Sequence, residues 1–431
     1  MDGSKANEAL GGTLEEDLLA RAAKVLPAGG FGNFDPSIVI REGRGGRVWD
    51  ESGREYIDYL IGSGPMLVGH GHPEVLAAVE AQIKRGMTFF ANNAEGIRLA
   101  EEICEALPCA DQLRYVSTGS EADMYAIRLA RAHSGREKIL KFEGGYHGMC
   151  AEALMSLAPQ RPGNFPQAQP DSAGLTQSVR DNVLVAPFND IDFARRFITE
   201  HADSLGGVIV EPLQRLIPPA PGFLECLREE TARHGIPLIF DEVVTGFRLA
   251  YGGAQSLYGV TPDICTLGKV IGGGFPLAAI AGKAEIMAHF DKAKVGEVGF
   301  LFQFGTLSGN PVAATAGRKT LEILRRPGSY ERIAATGKAI MQCLTEELGR
   351  AGVPAQVVGH PVLFDVVFTA NPVKDYRDVL SGDADLQKRF NKHLRSNGIL
   401  KSESKFYISL AHDDADLAQT RQAIAAAAAA L

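Results

Sequence analysis

The chain has 431 residues, 45% of them hydrophobic and 22% charged, with 44 basic and 52 acidic side chains giving a net charge of −8. This is the composition of a globular protein with one large core and room for a smaller second unit. The acidic balance and the scatter of the basic residues argue against a nucleic-acid partner, and no stretch approaches the roughly 18–20 apolar residues of a membrane helix.

Met1 to Arg21 is polar and acidic, so a signal peptide is not expected there. Thr13 and Glu16 form a capping-box pattern that opens a helix over 13–25, ended by Pro27 and the Ala28-Gly29-Gly30 turn. Residues 38–61 alternate as hairpin strands with a turn at Asp50-Glu51-Ser52-Gly53, and helical spacing follows over 73–86 and 94–107. Short apolar runs then alternate with amphipathic stretches. The runs are Gln112–Val116, Lys138–Phe142, Val183–Pro187, Gly207–Glu211, Pro237–Asp241, Ile264–Leu267 and Ala278–Ala281; the helical stretches are 121–134, 190–202 and 222–234. That alternation implies an α/β fold with a mostly parallel sheet flanked by helices.

The expected division is a large domain over 65–310, an N-terminal segment over 1–64 that belongs with the small domain, and a C-terminal small α+β domain over 311–431. The last contains helices through 326 and 352, strands near 362–369 and 405–411, and helices around 383–396 and 413–431. The stretch 158–182, rich in Pro, Gln and Ser, reads as a long loop. The cysteines Cys104, Cys109, Cys150, Cys226, Cys265 and Cys343 are widely spaced without a CxxC, the pattern of free thiols in a reducing compartment, and a cytoplasmic location is expected. No metal site is expected, because His70-Gly71-His72-Pro73 lacks a third ligand at metal spacing.

Six short segments carry chemistry. Lys269 stands between an apolar run and Gly272-Gly273-Gly274. Burial lowers a lysine's pKa, and a neutral amine forms a Schiff base with an aldehyde, the chemistry that pyridoxal phosphate requires. Asp241 ends an apolar strand, where a carboxylate can keep a pyridine nitrogen protonated. Val243 follows on the same face and could pack on a ring opposite Tyr146. Tyr146 and His147 lie in the glycine-bracketed segment Gly144–Gly148. Thr118, Gly119 and Ser120 open a helix and offer backbone N–H groups to an anion. Glu211 ends another strand, and Thr306 sits in a glycine-rich polar segment before a helix. Each has a plainer role when taken alone: a lysine on a turn, an ordinary N-cap, a core tyrosine, an Asp241–Arg248 salt bridge. Their order along the chain is what points to one site.

In that order, and in the stretches 126–132, 141–148, 245–253 and 305–311, the chain resembles the class III (subgroup II) aminotransferases of pyridoxal phosphate fold type I, aspartate-aminotransferase-like, from about Leu26 to Leu417. The resemblance is nearest to their glutamate-1-semialdehyde aminomutase branch. It implies that Lys269 is the Schiff-base lysine and proton shuttle and that Asp241 pairs the ring nitrogen. It further implies that Tyr146 and Val243 sandwich the ring, that Gly119 and Ser120 hold the phosphate, and that Glu211 lies near the cofactor hydroxyl and substrate. Thr306 would reach the phosphate from the partner subunit of a homodimer. An aminotransferase is the expected activity, acting on an amino acid or primary amine and a carbonyl acceptor; an intramolecular aminomutase is the alternative, with a racemase, a decarboxylase or a non-catalytic binding protein further off. The chain departs from the aminomutase where substrate is read. Ser63 stands in place of its tryptophan, the segment matching the one with its C-terminal glutamate is shorter and reads Ser402-Glu403-Ser404-Lys405-Phe406, and the arginines that related aminotransferases use for a carboxylate are absent. Arg215 is a candidate for that contact; its plainer role is a salt bridge on a surface loop.

Overall fold

The computed structural model describes residues 13–431, so residues 1–12 of the expected N-terminal segment lie outside the described residues. Seven strands form the central sheet, in the spatial order Gln112–Val116, Ala278–Gly282, Ile264–Leu267, Leu238–Glu242, Leu205–Val210, Lys138–Phe142, Val183–Ala186. All pairings are parallel except those of Ala278–Gly282, which runs antiparallel to both neighbours. The sequence explains this directly. Leu205–Val210, Leu238–Glu242 and Ile264–Leu267 are buried at every position, as strands covered on both faces must be, and their side chains are correspondingly apolar without alternation. The expected strands fall within a residue or two of those observed.

The helix Gly119–Ser134 packs across the sheet and buries Ala122, Ala126, Ile127, Leu129 and Ala130. Small residues permit the close approach: a Cβ on Gly207 would lie 2.9 Å from the Ala130 Cβ. The helix is held at its start by a Thr118–Glu121 capping box and at its end by Gly135 in the left-handed conformation.

Two smaller sheets flank the central one. Ile40–Arg44, Arg47–Asp50 and Glu55–Asp58 form an antiparallel meander, and Ile399–Leu400 adds to it parallel to Glu55–Asp58. Strand pairing thus ties the two ends of the chain together. The turn at residues 50–53 is present, with the Gly53 N–H on the Asp50 carbonyl at 3.0 Å. A second turn, between Arg44 and Arg47, was hidden within the alternating run. Gln356–His360, Leu363–Val367 and Phe406–Tyr407 form the other sheet.

The stretch 158–182 is more ordered than a plain loop. It contains a helical turn, Gln177–Asp181, and Phe165, Leu175 and Val179 pack on Met155, Ala168, Val183 and Val185. Arg377 holds it from outside, pairing with Glu143 at 2.7 Å and donating to the Gly163 carbonyl at 2.7 Å. His70 and His72 have structural partners: His70 pairs with Asp58 at 2.7 Å, and His72 caps the helix Pro73–Ile83.

Candidate active site

The carboxyl ends of the central strands surround a cleft of ≈ 310 Å³ lined by Thr118, Gly119, Ser120, Asp123, Tyr146, Asp241, Val243 and Lys269. Ligands of open parallel sheets bind at this edge.

Lys269 follows the strand Ile264–Leu267 and begins a single 3₁₀ turn, Lys269–Gly272, with φ +48°. A left-handed lysine is strained, and surrounding packing must impose it. The helix Pro311–Leu324 does so. A Cβ on Gly273 would lie 2.5 Å from the Ala316 carbonyl oxygen, so glycine lets this turn rest directly on the helix backbone. Burial lowers the Lys269 pKa; Tyr407 and Asp241 oppose the shift, while Lys405 and Arg248 add to it. Lys269 itself has no ion pair among the described residues: Asp241 is hydrogen-bonded to His147, and Glu143 and Asp365 pair with Arg377 and Lys401.

Asp241 is buried at the end of its strand and is bonded to His147 Nδ1 at 2.8 Å and to the Val243 N–H at 3.1 Å. His147 is thereby oriented, while its Nε2 has no hydrogen-bond partner. Asp241 forms no pair with Arg248. Beneath it, Thr266 Oγ1 donates to Asp123 at 2.6 Å and lies 3.4 Å from Asp241. Burial and the neighbouring Asp241 charge push Asp123 well above the usual carboxylate range.

Gly119 and Ser120 begin the helix, and their backbone N–H groups have no partner among the described residues. Thr118 differs from them. Its hydroxyl accepts from the Glu121 N–H at 3.1 Å, and its own N–H donates to Glu121 at 2.9 Å, so its polar groups are engaged in the cap. Val243 and Gly119 are in close apposition: a Cβ on Gly119 would sit 2.8 Å from Val243 Cγ1. Tyr146 is half-buried across the cleft, with its N–H on Glu211 Oε2 at 2.8 Å. Arg215 lies 5.6 Å from the Tyr146 ring centroid in a cation–π contact, rather than in a salt bridge.

Ser63 is on the turn 61–64, whose shape comes from Asp58 accepting the N–H groups of Leu60 and Ile61 at 2.8 and 2.9 Å. Thr306 is exposed and does not line the cleft. Its neighbours Gly305, Ser308 and Gly309 border a separate groove of ≈ 950 Å³ together with Phe90, Tyr115 and Phe304.

Three residues of this region were missed from the sequence as site groups. Asp123 was detectable as an acid on the apolar face of its helix. Arg248 and Tyr407 had no local signal, since their neighbours come from distant parts of the chain.

The family model for class III aminotransferases matches residues 32–427. An omega-transaminase from Sphaerobacter thermophilus is 36% identical, with a TM-score of 0.92 over 97% of this chain and 98% of that one. A β-phenylalanine aminotransferase from Variovorax paradoxus is 31% identical, with a TM-score of 0.85 over 98% and 94% of the two chains. A glutamate-1-semialdehyde aminomutase from Pseudomonas aeruginosa PAO1, 22% identical with a TM-score of 0.84 over 96% and 93%, shares the fold. The chain therefore belongs to the class III aminotransferases. It is a fold type I, pyridoxal-phosphate-dependent transaminase.

Proposed function

We propose that Lys269, Asp241 and the Gly119–Ser120 helix terminus form the cofactor site, and that the donor is an amino acid or amine not restricted to an α-amino group. One observation carries this reading: a single cleft brings together two free backbone N–H groups, a buried carboxylate and a lysine whose charge burial disfavours. The residues present fit pyridoxal phosphate. The unpartnered N–H groups at the start of a 16-residue helix suit its phosphate. Asp241, fixed by His147 and the Val243 N–H, suits its ring nitrogen, and the space between Tyr146 and Val243 suits a flat ring. When bound, the cofactor supplies an aldehyde that links to amines and a ring that withdraws electrons from the substrate carbon.

The protein's own groups do the rest. Lys269 would hold the cofactor, and its freed amine would take a proton from, and return one to, the substrate carbon. Its lowered pKa favours the free base needed for that task. Asp241 would face the ring nitrogen, and His147 fixes its orientation. Glu211, which accepts from the Tyr146 N–H, would hold the cofactor hydroxyl. Thr118 has the role of a cap that keeps the Gly119 and Ser120 N–H groups aimed at the phosphate. Ser63 and Arg215 are placed as substrate contacts.

A homodimer with shared active sites is part of the proposal. Phe302, Phe304 and Leu307 are exposed within four residues of Thr306, and the exposed Phe90 stacks on Phe304 at 6.3 Å; an apolar patch of this kind supports burial against a second copy. The division into 1–64, 65–310 and 311–431 is likewise proposed; pairing of Ile399–Leu400 with Glu55–Asp58 supports grouping the two outer parts. No described helix is long and apolar enough to cross a membrane, and a cytoplasmic location accords with six unbridged cysteines.

The test is to add single donors to the loaded enzyme without an acceptor and follow the visible absorbance of the bound cofactor. Loss of that band with β- or ω-amino acids or amines, restored by a keto acid, supports the reading. A band unmoved by every donor, with turnover of glutamate 1-semialdehyde alone, sinks it in favour of the aminomutase.

A further inference from the structure

Tyr146 stands on a turn, 143–148, whose glycines let the backbone take its shape without fixing it; Gly144 has φ +83°. Neighbouring strands and loops hold part of this turn. The Glu143 N–H donates to the Ala186 carbonyl and the Gly144 N–H to the Ser156 carbonyl, both at 2.9 Å. The Glu143 carbonyl accepts from Gln214 Nε2 at 2.8 Å, and the Tyr146 N–H donates to Glu211 Oε2 at 2.8 Å.

The remaining support comes from more than 200 residues further along the chain, from the helix Tyr376–Leu380. Glu143 is buried, and its carboxylate accepts from Arg377 Nε at 2.7 Å and Nη2 at 3.1 Å. It has no other hydrogen-bond partner among the described residues. A forked pair of this kind fixes direction as well as distance. Tyr376 presses on the next residue: a Cβ on Gly144 would lie 2.6 Å from the Tyr376 Cβ, Cγ and Cδ2 atoms, so that side chain rests directly on the Gly144 backbone. The helix is itself anchored where it begins. Asp375 accepts from the Asp378 N–H at 3.0 Å, and Asn189 Nδ2 joins the Lys374 carbonyl at 2.9 Å to the Pro218 carbonyl at 3.0 Å.

Tethering the stretch 158–182 accounts for part of this arrangement. It explains the Tyr376 hydroxyl on the Pro159 carbonyl at 3.1 Å, the Arg377 bond to the Gly163 carbonyl and the Arg377 guanidinium 4.3 Å from the Phe165 ring centroid. It does not explain why the acid is buried, at a cost that only a close partner offsets, or why Tyr376 is seated on Gly144. Both contacts fall on the two residues that open the Tyr146 turn.

We propose that Arg377 and Tyr376 are positioning residues for the cofactor ring. Acting through Glu143 and Gly144, they hold the turn 143–148 and so set the plane of Tyr146. This rests on the cofactor site proposed above, in which Tyr146 faces the ring.

The test compares wild type, Arg377→Met, Arg377→Lys, Tyr146→Leu and the two double variants. Equilibrium dialysis of the holoenzyme gives the pyridoxal phosphate dissociation constant, and visible circular dichroism at saturation reports how the ring is seated. Arg377→Met should weaken the cofactor by about fivefold or more, as for coupling between two sites, and reduce the dichroism. Arg377→Lys keeps a cation opposite Glu143 but loses the fork, and should fall between Arg377→Met and wild type. In the Tyr146→Leu background neither change at 377 should weaken the cofactor further. A general structural loss would lower affinity equally in both backgrounds, and that result overturns the proposal. So do unchanged affinity and dichroism in Arg377→Met. If Arg377→Met does not fold, Arg377→Lys carries the same comparison. Failure of the cofactor site itself would look different: wild type would lose pyridoxal phosphate on dialysis, or Tyr146→Leu would bind it as tightly as wild type.

Discussion

Replacing Gly119 by Ala should damage cofactor binding through Val243, and the structure sets the scale. The new Cβ would lie 2.8 Å from Val243 Cγ1 and 3.2 Å from Cγ2, closer than carbon atoms sit in proteins. Ala is the better helix residue by about 1 kcal/mol, and Gly119 opens the helix with no positive φ, so the helix itself should not suffer. The cost is overpacking, about 1–3 kcal/mol, relieved by pushing Val243 into the space that the ring needs. Cofactor affinity should then fall by about 5–150-fold, with apo-protein stability nearly unchanged. The assay is the cofactor dissociation constant by fluorescence titration of apo-enzyme for wild type, Gly119→Ala, Val243→Ala and the double variant. Val243→Ala removes the clashing methyl groups, so the double variant should bind better than the two single losses predict, by a coupling of about 1–2 kcal/mol. Additive losses would refute the reasoning, because the methyl group added by Gly119→Ala would then be acting on the phosphate or the helix rather than on Val243.

Lys269→Ala should abolish turnover and the visible band, leaving cofactor that dialysis removes; cofactor that borohydride fixes covalently to the variant would sink the assignment of Lys269. Lys401→Met strands the buried Asp365 carboxylate and should cost about 3–5 kcal/mol in urea unfolding, whereas Lys401→Met with Asp365→Leu should come back close to wild type or above it. Lys141 is buried, donates to the Ala153 and Met155 carbonyls at 2.9 and 2.6 Å, and has its pKa brought down to about 7 by desolvation. Below about pH 7 both folded and unfolded chains hold its proton and the burial penalty is full; above it only the unfolded chain does, so stability from this group rises by about 1.4 kcal/mol per pH unit until the unfolded value is reached. Lys141→Met should remove that rise, and equal pH slopes for variant and wild type between about pH 7.5 and about pH 9 would contradict it. Phe304→Asp places a charge in the exposed apolar strip and should convert a dimer to monomer in sedimentation, with loss of cofactor affinity as Thr306 is withdrawn; an unchanged mass and affinity would count against the shared site.

The two halves of the site were unequally legible in the sequence, for a physical reason. The cofactor half is built from strand-then-turn segments in which the functional residue and its support are neighbours in sequence. Asp241 ends an apolar strand and is bonded to the N–H two residues on; Gly119 and Ser120 follow a strand and open a helix; Lys269 follows a strand and precedes its glycines. Apolar runs and glycines mark such segments without any knowledge of the fold. The opposite wall is assembled across the whole chain. The Tyr407 N–H bonds to the Tyr59 carbonyl at 2.9 Å, the Tyr59 N–H to the Leu400 carbonyl at 2.7 Å, and Arg248 reaches the Gly64 carbonyl. No local pattern records those pairings. Even Asp123, whose partner Thr266 lies far along the chain, was visible only as an acid among alanines. The plainer role open to Asp241 taken alone, a pair with Arg248, is not formed: the strand end directs Asp241 toward His147 and the turn sends Arg248 toward residues 61–64. Chemistry held by local geometry is thus readable from motifs, whereas a wall assembled from distant segments depends on the register with which the strands near residues 55–58 and 399–400 pair, which no local pattern records.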